Sequence, residues 1–327
     1  MMPPTISASR RPGELSTGAP LRRLLIAAAL AVALAPGATA APLSAVDARG
    51  RMITLALPPQ RIVSLAPATT EMLFAIGAGP RVVGVSRYCD YPNEARSRAK
   101  IGDLNTSIER VIALRPDLVV ASDSANRRAV EHLERLRGRR TPVFCVDPNT
   151  FEELYTALRA LGAITGASVG AERVERTMRE EVRRVQGALA RTRKRPRVAF
   201  LLQTRPVWVA GPGTFVDDLI RMAGGVNVAA GAGTGYRPYP LEKLIAQRPE
   251  ALLMRAPDDE DLASRPAWSG MPAVRTGALH SVGDEAVRPG PRLTVALARL
   301  ARLLHPEAFT RQDRAPSPPK QRTVPRR

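Results

Sequence analysis

The stretch "SIERVIALRPDLVV", residues 107–120, is written again as "PLEKLIAQRPEALL", residues 240–253, offset by 133 positions and without a gap. Each line opens with a Glu (Glu109, Glu242), runs for two turns at helical spacing, meets an Arg-Pro pair (Arg115-Pro116, Arg248-Pro249) and ends in an apolar run. Proline removes a backbone donor and clashes with the preceding turn, so each line reads helix, stop, strand. A chain that writes this unit twice is expected to hold two related lobes.

The surrounding text extends the repeat. "RIVSLAP" is a short apolar run, "ATTEMLFAIGAG" a helix with a Gly stop, and "RVVGVS" a second β-branched run. "NRRAVEHLERLRG" then predicts an amphipathic helix and "TPVFCV" another strand. The later half answers with "RVAFLL", "TFVDDLIRMAGG", "EALLM" and "GALHSVG", closed by the amphipathic "PRLTVALARLARLLHP". Short apolar strands alternating with helices indicate βα units and a mostly parallel sheet. Between the halves, residues 168–193 hold no strand; Val174, Met178, Val182, Val185 and Leu189 fall at helical spacing, predicting one helix of about 20 residues. The expected organisation is therefore an α/β lobe over 41–167, a linking helix over 168–193 and a second α/β lobe over 194–310. A ligand cleft between the lobes is expected at the strand ends.

The two ends lie outside this frame. Arg22 and Arg23 precede "LLIAAALAVALA" and then "ATA" at 38–40, the pattern of a secretory signal over 1–40 cleaved after Ala40. Twelve apolar residues are too few to span a bilayer, which takes about 20. Residues 311–327 form a basic, Pro-rich tail expected to be disordered. The net charge of +19 is spread accordingly: the leader carries +3 (four Arg against Glu14) and the tail +5 (six basic residues against Asp313), leaving +11 over 41–310. Those arginines sit on helix faces beside Glu, as in "AERVERTMREEVRR", and no aromatic-studded basic strand accompanies them. A nucleic-acid partner is not expected.

The tools of catalysis are missing: the chain has no GxxxxGK[ST] loop, no GxSxG elbow and no HExxH pair. Its three histidines, His132, His280 and His305, form no cluster in the sequence. Cys89 and Cys145 have no CxxC or His partner, so a metal site is not expected; whether they pair as a disulfide stays open. Thr106 and Glu109 have capping-box spacing, and Glu242 follows Pro240, a favoured first-turn residue. Capping alone does not require one such Glu per lobe in matching frames; two exposed carboxylates could instead meet two equivalent basic sockets on a symmetric partner. Tyr88, Tyr91, Trp208, Tyr236, Tyr239, Asp284 and Arg288 are read as loop residues converging on the cleft, where aromatic walls suit a large, flat, partly apolar ligand.

"RIVSLAPATTEMLFAIGAG", "VVGVSRYCDYP", "SIERVIALRPDLVV", "GPGTFVDDLIRMAGGVN", "PLEKLIAQRPEALL" and "RPGPRLTVALARLARLLHPEAF" together resemble periplasmic cobalamin-binding proteins of ABC transporters. These belong to the wider class that carries cobalamin, haem and ferric siderophores, and the likeness runs from Arg61 to Phe309. It implies two Rossmann-like lobes bridged by one rigid helix. It also implies a periplasmic carrier, monomeric and without cofactor, that hands cobalamin or a related corrinoid to a two-subunit permease at the inner membrane. Glu109 and Glu242 fall where the class has its permease-docking glutamates. Ala68, Tyr88, Trp208, Tyr236, Asp284 and Arg288 fall at ligand-facing positions. Asp103 and Ser122 stand where well-known cobalamin binders have tryptophans. Rival expectations are a haem or ferric-siderophore carrier, with Arg87 and Arg237 supplying a basic cleft; an exported enzyme using Asp284 or Asp90; and a binding subunit for a membrane sensor.

Overall fold

A computed structural model describes residues 41–103, 105–136, 141–255 and 262–309; the expected leader and tail lie outside them. The chain enters through an antiparallel hairpin, β1 (Leu43–Val46) and β2 (Met52–Leu55). The first lobe then lays down β3 (Ile62–Ser64), β4 (Val82–Val85), β5 (Ala99–Lys100), β6 (Leu118–Ser122) and β7 (Val143–Val146). They form a wholly parallel sheet in the order β5-β4-β3-β6-β7. The second lobe holds β8 (Arg197–Thr204), β9 (Val207–Ala210), β10 (Val226–Asn227), β11 (Tyr236–Pro238), β12 (Ala251–Met254) and β13 (Leu279–Ser281). Its order is β11-β9-β8-β12-β13, with β10 beside β8. Here β9 and β11 run antiparallel, an edge that the βα reading did not foresee.

The strands read as unbroken apolar runs because both faces are buried. Leu118 and Val120 of β6 face a core shared by the whole molecule, while Val119 and Ala121 face the first lobe's own helices. In β12, Ala251 and Leu253 face the shared core and Leu252 and Met254 the second lobe's outer layer. This is the period-two alternation of a pleated strand.

The repeated line folds twice in the same way. Helix α2 (Ile108–Ala113) and helix α7 (Leu241–Ala246) both end on an arginine of positive φ, Arg115 at 45° and Arg248 at 48°. Proline bars the right-handed helical region to the residue before it, and the chain turns away at that point. The Arg115 amide donates to Ile112 O and the Arg248 amide to Ile245 O, both at 2.9 Å. The acid after each Pro, Asp117 or Glu250, accepts the amide of the arginine that leads into the lobe's first central strand: Arg61 at 2.9 Å, Arg197 at 3.2 Å. That arginine's Nε returns to the helix's last carbonyls, Leu114 O at 2.9 Å and Gln247 O at 2.7 Å. Each short helix is thus pinned to a central strand.

Between the lobes runs α5 (Ser168–Leu189), 22 residues long, with Met178, Val182, Val185 and Leu189 buried. It packs against α4 (Phe151–Thr165), a helix absent from the sequence reading, and against α8 (Leu293–Leu304). The shared core is continuous from Ile62 and Phe144 through this helix to Phe200 and Leu297. In α6 (Phe215–Met222), the buried Asp218 accepts the amide of Phe151 at 3.0 Å, joining the second lobe to the start of α4. Among the described residues no helix is long and apolar enough to cross a membrane.

Candidate ligand-binding cleft

Loops after β3, β4, β6 and β7 of the first lobe, and after β12 and β13 of the second, enclose a cavity of about 600 Å3. Carboxyl ends of parallel strands are where such sheets receive ligands. "SLAPATT" is written as it is because helix α1 (Pro67–Ala75) must start at the cavity floor. Beneath that start, Ser64 and Thr69 share a 2.6 Å hydrogen bond and Thr70 donates to Ser64 at 2.8 Å, all buried. This hydroxyl knot fixes the α1 entrance, where Ala68 and Met72 line the cavity. Tyr88 lines it, the residue 48% exposed. From the second lobe come Leu202, Phe215 and Tyr236; the last two rings meet edge-on, 6.4 Å apart. Burial pushes the Tyr236 phenol well above its ordinary range, so it stays protonated and can donate.

A charge network closes one end. Arg288, its side chain 11% exposed, lies 2.5 Å from Asp90, 3.0 Å from Asp284 and 3.6 Å from Glu71. Arg292 forks onto Glu71 at 2.6 and 2.8 Å and stacks over the Tyr91 ring at 4.1 Å. Arg255 pairs with Asp284 at 3.0 Å. Glu71 and Asp90 belong to the first lobe and the arginines to the second, so these pairs span the cleft. Burial raises the Asp90 carboxyl, but the hydrogen bond and charge of Arg288, with Arg292 farther off, outweigh it and hold the group below its usual range.

Of the six ligand-facing residues expected from the sequence, Ala68, Tyr88, Tyr236 and Arg288 meet at this cavity. Asp284 is not among the lining residues; it holds the two arginines that are. Trp208 is a correction: it is no loop residue but sits in β9, paired with Pro238 and Gln203, and does not line the cavity. Tyr236 likewise lies on a strand, β11. Arg87 pairs with Asp103 at 3.8 Å and Arg237 donates to Thr234 O; neither lines the cavity. Ser122 does line it, as do Leu202, Phe215 and Asp147, which the sequence reading missed. Asp147 carried one signal, a polar residue at the end of an apolar strand followed by Pro.

Glu109 and Glu242 are both exposed in the first turns of α2 and α7. The expected Thr106 cap is replaced by Ser107, whose hydroxyl accepts the Arg110 amide at 3.3 Å and donates to Glu109 Oε2 at 2.9 Å. Glu109's own backbone amide and that hydroxyl hold its carboxyl below the usual range. Pro240, not a hydroxyl residue, stands at the N-cap of α7.

Two α/β lobes on one spine, with a cavity at their strand ends and charge pairs across it, define a two-lobed ligand-binding protein. The periplasmic binding protein family matches residues 62–286, and the chain belongs to that family. A vitamin B12-binding protein of Salmonella typhimurium is 31% identical over 248 residues, covering 75% of this chain and 90% of that one. The periplasmic heme-binding protein RhuT of Roseiflexus sp. RS-1 shares 29% identity and a TM-score of 0.68, over 76% of this chain and 99% of RhuT. The vitamin B12-binding protein BtuF of Vibrio cholerae, at 24% identity and a TM-score of 0.67 over 77% of this chain and 98% of its own, shares the fold.

Proposed function

We propose that this protein captures cobalamin or a related corrinoid in the periplasm and delivers it to a two-subunit ABC permease of the inner membrane. The observation that carries the reading is the cavity of about 600 Å3 between the lobes, where the apolar Met72, Leu202, Phe215 and Val287 stand beside Tyr88, Tyr236, Arg288 and Asp147. Such a mixed lining suits a partly apolar ligand held by a few polar groups. Likeness to vitamin B12-binding proteins supports the corrinoid. The duplicated, rigidly pinned helices support docking through Glu109 and Glu242, one per permease subunit. The protein acts as a carrier: Asp90 and Asp284, the acids an enzyme would need, are both engaged with arginines. A ferric siderophore fits less well: Arg87 and Arg237 lie outside the cavity, and the arginines that line it, Arg255 and Arg288, are paired with carboxylates. Haem is the second reading, favoured by likeness to RhuT.

Charge reversal tests the docking half. Glu109→Lys with Glu242→Lys should abolish ligand uptake by cells while leaving the affinity of the purified protein unchanged. Uptake that survives both reversals removes the docking assignment.

A further inference from the structure

Three charged side chains line the cavity: Arg255, Arg288 and Asp147. The two arginines are matched by carboxylates from Asp284, Asp90 and Glu71. Asp147 is different. Its carboxylate accepts from the Ser122 hydroxyl at 2.9 Å, the Ser124 hydroxyl at 2.7 Å and the Ser124 amide at 3.2 Å, all neutral donors. Among the described residues no cation lies within ion-pair distance of it. The uncompensated charge on the cavity wall is therefore negative.

A carboxylate offers about four acceptor sites. Oδ1 holds both hydroxyls, while Oδ2 holds only the Ser124 amide and keeps room for a donor from the ligand. Ser122 and Ser124, beside it, also line the cavity, so this wall is polar, and it faces second-lobe arginines that are already paired with carboxylates.

We infer that Asp147 is a specificity-determining residue of this cleft: it accepts a hydrogen bond from an N–H group on the ligand and repels ligands that present carboxylates. The inference rests on the proposal that this cleft holds the transported ligand. It selects a macrocycle rimmed with neutral amides over one rimmed with carboxylates. A corrinoid carries primary amides and haem carries two propionates, so the two are natural probes.

The experiment measures the affinities of cyanocobalamin and haem for wild type, Asp147→Asn and Asp147→Ser, each first checked for an unchanged melting curve. Removing one charge a few ångströms from a ligand carboxylate should tighten haem by about tenfold. Cyanocobalamin should weaken in both variants, so the preference ratio falls in both. Wild-type discrimination should also shrink at about 1 M salt, where screening reaches within about 3 Å, and the variants should show little such change. An unchanged ratio in both variants, or wild-type discrimination indifferent to salt, overturns the role of Asp147. If wild type prefers haem, the corrinoid reading fails by itself; the inference then stands only if haem still tightens in Asp147→Asn.

Discussion

Glu71 is 3% exposed and Arg292 supplies its bidentate partner across the lobes. Breaking a buried pair by removing one side leaves a stranded charge, at a cost of about 3–5 kcal/mol, whereas removing both can be close to neutral. Arg292→Leu should therefore lower stability to denaturant by about 3 kcal/mol, less whatever Arg288 at 3.6 Å recovers, and Glu71→Leu added to it should restore most of the loss. Equal losses in the single and double variants would mean that the pair does not act as a unit. The cysteines, whose pairing the sequence left open, are both buried and free. Burial raises both thiols, Cys145 to about 12, and Cys89 lies against the Thr70 and Ser86 hydroxyls. Neither should react with a thiol reagent at neutral pH until the protein unfolds, when two equivalents should appear. Immediate labelling would place a thiol at the surface.

Gly170 and Gly187 lie on the same helix and separate two physical effects. A Cβ on Gly170 would come within 1.9 Å of Ile76 O, at the end of α1, while one on Gly187 would meet nothing within 4 Å. Gly170→Ala should destabilise by about 2–3 kcal/mol through forced separation of two elements. Gly187→Ala should stabilise by about 0.5–1 kcal/mol through helix propensity. Thermal melting of both variants decides; equal shifts would contradict the crossing of α5 over α1. At this scale most elements were legible, because strands buried on both faces and helices with Gly or Arg-Pro stops leave strong local signals. The exceptions have particular causes. Hairpin β1–β2 is four residues a side and is held by distant partners, Arg51 on Glu134 and Arg49 on Asp123 and, at 3.3 Å, on Glu134. Trp208 and Tyr236 read as loop residues because Pro206, Pro212 and nearby glycines surround them, yet β9 and β11 pair antiparallel at an edge that tolerates such neighbours. The site was less legible than the fold: Leu202, Phe215 and Asp147 converge only through packing of separate elements.

The two lobes share their largest core through α5. Its pH response follows from carboxylates on several elements. Burial raises Asp47, Asp90 and Glu175, but their arginine partners outweigh it and hold all three below the usual range. Stabilisation from a lowered carboxyl is complete above the unfolded value, near 4, and is lost as pH falls through the lower folded value. Burial also lowers His280, with Arg299 adding to it, so its share fades as pH drops below about 6.5. The melting temperature should decline gently below about pH 6.5 and steeply below about 4. A midpoint that holds to about pH 2 would show that these pairs contribute nothing.

Calorimetric titration of the purified protein with cyanocobalamin, with haem and a ferric siderophore in parallel, decides whether a corrinoid occupies the cleft between the lobes. Trp268 is buried in the second lobe's outer layer and Trp208 lies off the cavity, so heat is a better signal than tryptophan fluorescence. Saturable one-to-one binding of cyanocobalamin, tighter than that of haem and without turnover, is the expected result. Tight haem or siderophore binding with no heat from cyanocobalamin would contradict it.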